Sequence, residues 1–266
     1  MAYAVFPDRF VRRIDIIGDS WMENTRVEDS IPEGPPRRSL YLAPHATRAE
    51  EVPNPNAYVR NFSRGGLTFS RALERTEDQE EWARDPPRLT ILQVGACSAY
   101  NTTLGDDANI RQAFINEIKD FVTEWTAVAR RTELTPRARR EFEDAMEVHK
   151  WLLIAIPCWS RGTTRGRTSQ EVKRIKKNIH TALRNARTFL WTTYRMSVVF
   201  PHLENAQFIP RSVHLTSEYQ EIWNNQVFRA ASALVCEYCA WTTNSFVPEE
   251  HKRYLRNVCA RPLPHN

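Results

Sequence analysis

Four short stretches of this chain carry side chains that could do chemistry. In the first, Gly18-Asp19-Ser20, an apolar run stops at a tight polar turn that holds up a serine. A serine hydroxyl becomes a nucleophile only with a base to take its proton, a group to orient that base and donors for the developing oxyanion. Without them, a serine in this place is simply the cap of the next helix. The second stretch is Arg64-Gly65-Gly66, and the third is Gly95-Ala96-Cys97-Ser98. The fourth, "RSVHLTSEYQEIW", sets His214 just ahead of a helical pattern.

A different chemistry is offered between Ser160 and Arg187. Here stand Arg161, Arg165, Arg167, Lys173, Arg174, Lys176, Lys177, Arg184 and Arg187, with Glu171 the only acid. Such a run either is a solvated helix face or contacts the phosphates of RNA, DNA or another anionic ligand. The whole chain, with 37 Lys+Arg against 32 Asp+Glu and a net charge of +5, is too mildly basic to decide. The five cysteines are an odd number. Cys97 and Cys158 lie in or just after apolar runs, as buried thiols do, and Cys236-x-x-Cys239 has no second pair at zinc-finger spacing. Reduced structural thiols are expected, with no metal and no cofactor.

These residues need elements to hold them. Five apolar, β-branched runs read as strands: Arg13–Gly18, Tyr58–Ser63, Leu89–Gly95, Trp151–Pro157 and Met196–Pro201. The third and fourth are nearly continuously apolar, which suits strands covered on both faces. Helical stripes fill the gaps. One carries Phe114, Ile118, Phe121, Val122, Trp125 and Val128, and a second carries Val172, Ile175, Ile179, Leu183 and Leu190. A third carries Tyr219, Trp223, Val227, Ala230 and Leu234, with Thr216 or Ser217 as its N-cap. "TELTPRARREFEDAMEVHK" reads as a short charged surface helix. The alternation predicts one three-layer α/β/α domain over residues 1–266 with a parallel, flavodoxin-like sheet of about five strands. Ile31–Asn56 is a proline-rich loop insertion, and Ala240–Asn266 is a C-terminal tail.

In such a sheet ligands sit beyond the carboxyl ends of the strands. The residues after each run are therefore the ones to inspect. No apolar run approaches the roughly 20 residues that span a bilayer. "MAYAVFPDRFVRR" is not a signal peptide. No membrane span and an intracellular, cytoplasmic location are therefore expected. The sequence does not set an oligomeric state.

In order and placement the four stretches resemble the blocks of the SGNH (GDSL-type) hydrolases. Gly18-Asp19-Ser20 matches the first block and Gly66 the second. Gly95-Ala96-Cys97-Ser98 stands at the Gly-x-Asn-Asp block, and "RSVHLT" at Asp-x-x-His-Leu-Thr. The resemblance runs from Ile14 to Cys239. It implies acyl-ester hydrolysis with Ser20 as nucleophile, His214 as base, and the amides of Ser20 and Gly66 as oxyanion donors.

Two positions depart from the pattern. Cys97 replaces the family's oxyanion asparagine, and Arg211 replaces its aspartate. A thiol is a weak donor, and losing one oxyanion contact costs about 10²–10³ in turnover. Losing the aspartate of a triad costs on the order of 10⁴. An inward-pointing arginine also disfavours the imidazolium. Compensation could come from a backbone carbonyl, Glu204 or Asn101. The expectation is a weak or lost hydrolase acting on a small acyl ester through a Ser-His dyad. The alternative is an inactive module of the same fold that binds RNA or DNA through the basic stretch.

Overall fold

The structure is a computed structural model. It describes residues 13–23, 58–93, 97, 105–156 and 168–201. Beyond these it describes 203, 208, 209, 214–220, 222, 223, 226, 227, 230, 231 and 234. The strands are β1 (Arg13–Gly18), β2 (Tyr58–Asn61), β3 (Leu89–Gln93), β4 (Lys150–Ile154) and β5 (Met196–Val199). All pair in parallel, in the order β2-β1-β3-β4-β5. This is the doubly wound, flavodoxin-like order, with the sheet's switch point between β1 and β3.

The strand residues alternate between two cores. Ile17, Leu92, Trp151, Leu153, Met196 and Val198 face one; Ile14, Ile16, Leu89, Ile91, Leu152, Ile154 and Val199 face the other. The first side is covered by five helices. They are α2 (Phe69–Leu73), α3 (Thr76–Arg84), α4 (Asp107–Arg131), α5 (Pro136–Val148) and α6 (Ser169–Tyr194). The second side carries α1 (Ser20–Glu23) and the helical residues that start at 217. The arrangement is therefore three-layered. Each fully buried large side chain contributes about 1.5–3 kcal/mol.

Local chemistry explains the element ends. Asp106 caps α4 by accepting the Asn109 N–H at 2.8 Å. Thr168 and Glu171 form a reciprocal capping box at the start of α6. Pro136 opens α5, where a missing N–H costs nothing. Every residue of the two stripes assigned to α4 and α6 is buried, as are Trp223, Val227, Ala230 and Leu234. Among the buried residues of α5 only Phe142 appears, as its charged sequence predicts. Three expectations change. Helices α2 and α3 lie in a segment where no helical stripe was expected. The Thr216 hydroxyl, offered as an N-cap, is buried without a hydrogen-bond partner among the described residues. Cys97, expected to be a buried thiol, is partly exposed.

One buried ion pair fixes the edge of the sheet. Asp15 of β1, completely buried, accepts two hydrogen bonds from Arg60 of β2, at 3.0 and 2.8 Å. The same two residues are register partners in the β1–β2 ladder. A bidentate pair of this kind is the strong, geometrically demanding form of the interaction.

Candidate functional site

The site begins where β1 ends. Gly18 has no room for a side chain, since a Cβ would lie 2.7 Å from the Met22 Cβ and 2.9 Å from the Gln93 carbonyl oxygen. The strand can therefore turn directly under α1. Asp19, fully buried, does the capping: its Oδ1 accepts the Trp21 N–H at 3.0 Å. Its backbone carbonyl accepts from Met22 and Glu23 at 3.0 Å each. Capping thus falls to Asp19, and Ser20 stands as the first residue of α1, partly exposed.

The chain after β2 folds onto this turn. Phe62 N–H donates to Ile16 O at 2.8 Å and Arg64 N–H to Gly18 O at 3.0 Å, carrying the β1–β2 ladder past the strand. Leu67 N–H then closes a turn on Arg64 O at 3.1 Å. Inside that turn, a Cβ on Gly65 would sit 3.9 Å from the Ser20 Cβ and 3.2 Å from Glu23 Oε2. Gly66 has φ +78°, a left-handed conformation that disfavours any side chain. The Gly66 carbonyl accepts from Arg71 Nη1 at 3.4 Å. Arg75 braces the turn's start by donating to Phe62 O at 2.6 Å and pairing with Asp78. Burial raises the Asp78 carboxyl above its usual range, and the Arg75 and Arg64 charges pull it back.

His214 belongs to a segment, far along the chain, that packs against Trp21. Its carbonyl accepts the Ile209 N–H at 3.0 Å, and the neighbouring Leu215 bridges to Phe208. Phe208 and Trp223 each meet the ring of Trp21, the residue after Ser20, with centroids 6.2 and 5.2 Å away. Gln220 Nε2 donates to the Trp21 carbonyl at 3.2 Å. Trp21 therefore joins the Ser20 turn to the segment that carries His214. The imidazole is partly exposed, with its Nε2 buried.

Gly95, Ala96, Ser98, Asn101, Cys158, Glu204, Arg211, Cys236 and Cys239 lie outside the described residues, as do Arg161, Arg165 and Arg167, the Ile31–Asn56 insertion and the tail. Cys97 is described as a single helical residue beyond the end of β3. In the basic stretch, Arg174 donates to Asp107 Oδ1 at 2.7 Å and to Gly105 O at 3.0 Å. That hydrogen bond holds the Asp107 carboxyl below its usual range. Lys176 is buried, whereas Lys173, Lys177, Arg184 and Arg187 are exposed. His180, on the same helix, donates from Nε2 to the Ile156 carbonyl at the end of β4. Burial holds its pKa below the ordinary value. Among the described residues no group of three His, Cys, Asp or Glu side chains could hold a metal ion. No helix among them is long and apolar enough to cross a membrane.

Two residues at this edge escaped the sequence reading. Gln93 ends β3, and its side-chain amide is completely buried with neither polar atom hydrogen-bonded. Arg71, on the Gly66 carbonyl, is seven residues beyond the glycine turn's first arginine and carried no signal.

No family model matches the chain, and no curated protein matches it. Solved structures do. The chain is similar to a protein assigned as an arylesterase from Agrobacterium tumefaciens str. C58, with 16% identity over 85% of this chain and 99% of that one, at a TM-score of 0.50. It is also similar to a carbohydrate acetylesterase family member from Sinorhizobium meliloti, with 13% identity over 86% and 99% and a TM-score of 0.49. A GDSL-like lipase from Bacteroides thetaiotaomicron VPI-5482 aligns at 15% identity over 86% and 91%, with a TM-score of 0.46. The arylesterase-assigned protein therefore shares the fold described above, a five-stranded parallel sheet between helical layers. Identities this low speak to fold alone, and the chemistry has to be argued from the residues.

Proposed function

We propose that the chain is a slow ester hydrolase, a divergent relative of the SGNH enzymes acting on a small acyl ester. One observation carries this reading. Asp19 takes over the cap of α1, and the Gly65-Gly66 turn is folded against Ser20, with 3.9 Å between the Ser20 Cβ and the Cβ position of Gly65. A serine needed only as a cap requires no glycine turn beside it. In the proposed reaction Ser20 Oγ attacks the acyl carbon while its proton passes to the His214 imidazole. The carbonyl oxygen becomes the oxyanion, facing the N–H groups of Ser20 and Gly66. Collapse expels the alcohol, which takes the proton from His214. Water then repeats the cycle on the acyl-serine, releasing the carboxylic acid.

The reaction is slow because Cys97 supplies only a weak donor and Arg211 no carboxylate. A fluorophosphonate probe tests the assignment: it labels the purified protein, and the label is lost in Ser20→Ala and strongly slowed in His214→Ala. An unlabelled wild type, beside a serine esterase that labels in parallel, would overturn the reading.

A second reading, binding of RNA or DNA on an inactive scaffold, draws on α6. Lys173, Lys177, Arg184 and Arg187 follow helical spacing that lines them along one outer stripe, and all four are exposed. Arg174 and Lys176 contribute less, being ion-paired and buried respectively. Titration of labelled RNA at two salt concentrations decides. Affinity that falls steeply with salt supports phosphate contact, and none at low salt removes it.

A further inference from the structure

The loop that folds over Ser20 carries more positive charge than its structure uses. Arg64 is exposed, and its backbone N–H is tied to the Gly18 carbonyl at 3.0 Å, so its side chain springs from a point beside the end of β1. Among the described residues its guanidinium makes no hydrogen bond or ion pair and acts on Asp78 only through space. Arg71 is exposed as well. Its one described side-chain contact is the 3.4 Å hydrogen bond to the Gly66 carbonyl, which leaves most of its N–H donors facing solvent. Arg75, by contrast, donates to Phe62 O and is paired with Asp78. One anion shares the rim: Glu23, exposed, one helical turn beyond Ser20 and 3.2 Å from the Cβ position of Gly65.

Two guanidinium groups are exposed here, Arg64 on the turn that offers the oxyanion donor and Arg71 in the adjoining α2. They outnumber the one exposed carboxylate described beside Ser20, that of Glu23 (Asp19 being buried in its cap), and leave the exposed rim positively charged. Guanidinium groups bind carboxylate or phosphate through paired hydrogen bonds, which neutral acyl chains cannot answer. Resting on the hydrolase reading, we infer that the substrate is an anionic ester, bearing a carboxylate or phosphate that Arg64 and Arg71 hold while Ser20 attacks. Glu23 works against such a group and sharpens the selection of where it sits.

The experiment compares mono-4-nitrophenyl adipate with the uncharged 4-nitrophenyl hexanoate, and 4-acetoxybenzoate with phenyl acetate. The first pair places the charge on the acyl side and the second on the alcohol side. The ratio of kcat/KM, anionic over neutral, is the readout. It is expected to exceed one by about tenfold in one of the two pairs, as one charge-assisted contact allows. The preference should lie mainly in KM and shrink at high salt. Arg64→Ala and Arg71→Ala bring the ratio toward one, Arg64→Lys retains part of it, Arg64→Glu inverts it and Glu23→Gln raises it. Ratios near one in both pairs, unmoved by these variants while Ser20 still labels, overturn the inference and leave the hydrolase reading standing. Failure of Ser20 to label overturns the hydrolase reading, and this inference falls with it.

Discussion

The two faces of the sheet are finished to different degrees. On the side covered by α2 to α6, Trp82 is enclosed by Trp125, Phe142, His149 and Trp151, with ring centroids 6.3, 5.8, 5.5 and 6.1 Å away. Its indole N–H donates to Thr90 Oγ1 at 3.2 Å, and that hydroxyl shares a 2.9 Å hydrogen bond with His149 Nε2. Among the described residues of this cluster, the Trp125 Nε1 is buried without a partner. On the opposite side, next to the Ser20 turn, the amide of Gln93, the Nε1 of Trp223 and the hydroxyl of Thr216 are all buried and unanswered among the described residues. Buried polar groups cost about 1–3 kcal/mol each when unpaired. The first face is built for cohesion. The second gives up some cohesion where the candidate site stands, the usual place for a protein to tolerate local inconsistency.

Substitutions on each face can break this contrast. The largest effect is expected at Trp82→Ala, which should cost about 3–5 kcal/mol by emptying an aromatic site with little freedom to collapse, read as a lower denaturant midpoint. Thr90→Val in the same network should cost about 1–2 kcal/mol, because it strands the Trp82 N–H. Gln93→Leu should do the reverse and raise stability by about 1 kcal/mol, removing two unsatisfied polar atoms at similar volume. A loss at Gln93 as large as that at Thr90 would show that the two faces do not differ in this way.

The smallest effect concerns pH and His180. Its folded pKa is lowered, mainly by burial, with the Arg184 and Lys176 charges adding to it and the Ile156 hydrogen bond opposing. The unfolded chain therefore binds this proton more readily. The stabilising contribution is fully present above the unfolded value, near 6.5, and is lost as pH falls from there toward the folded value. His180→Gln, which keeps an N–H for the Ile156 carbonyl, should flatten the decline in stability over that window. An identical slope in both proteins would refute the assignment.

The sheet was legible in the sequence because its strands are apolar, β-branched and bounded by Gly, Pro or polar turns. The long helices were legible because Phe114 to Val128 and Val172 to Leu190 repeat at helical spacing. Helices α2 and α3 escaped because the first has only five residues and the second buries only Gln79, Trp82 and Ala83. Within the site, Gly18-Asp19-Ser20, Gly66 and His214 were readable as a pattern. The roles inside the pattern were not. That Asp19 rather than Ser20 caps α1 depends on which side chain points back into the turn. A list of charges likewise does not tell Arg174, which pairs with a residue 67 positions away, from Lys177, which stands in solvent.

The pair between Asp15 and Arg60 reaches beyond the strength of one contact. Side chains on a strand alternate faces, so a slip of a single residue would swing the guanidinium to the far side of the sheet and strand the carboxylate among apolar neighbours. The edge strand is thereby locked in one alignment. The glycine turn begins only a few residues after Arg60, so its placement against Ser20 inherits that alignment, and the candidate site owes its shape to an electrostatic key cut further down the strand.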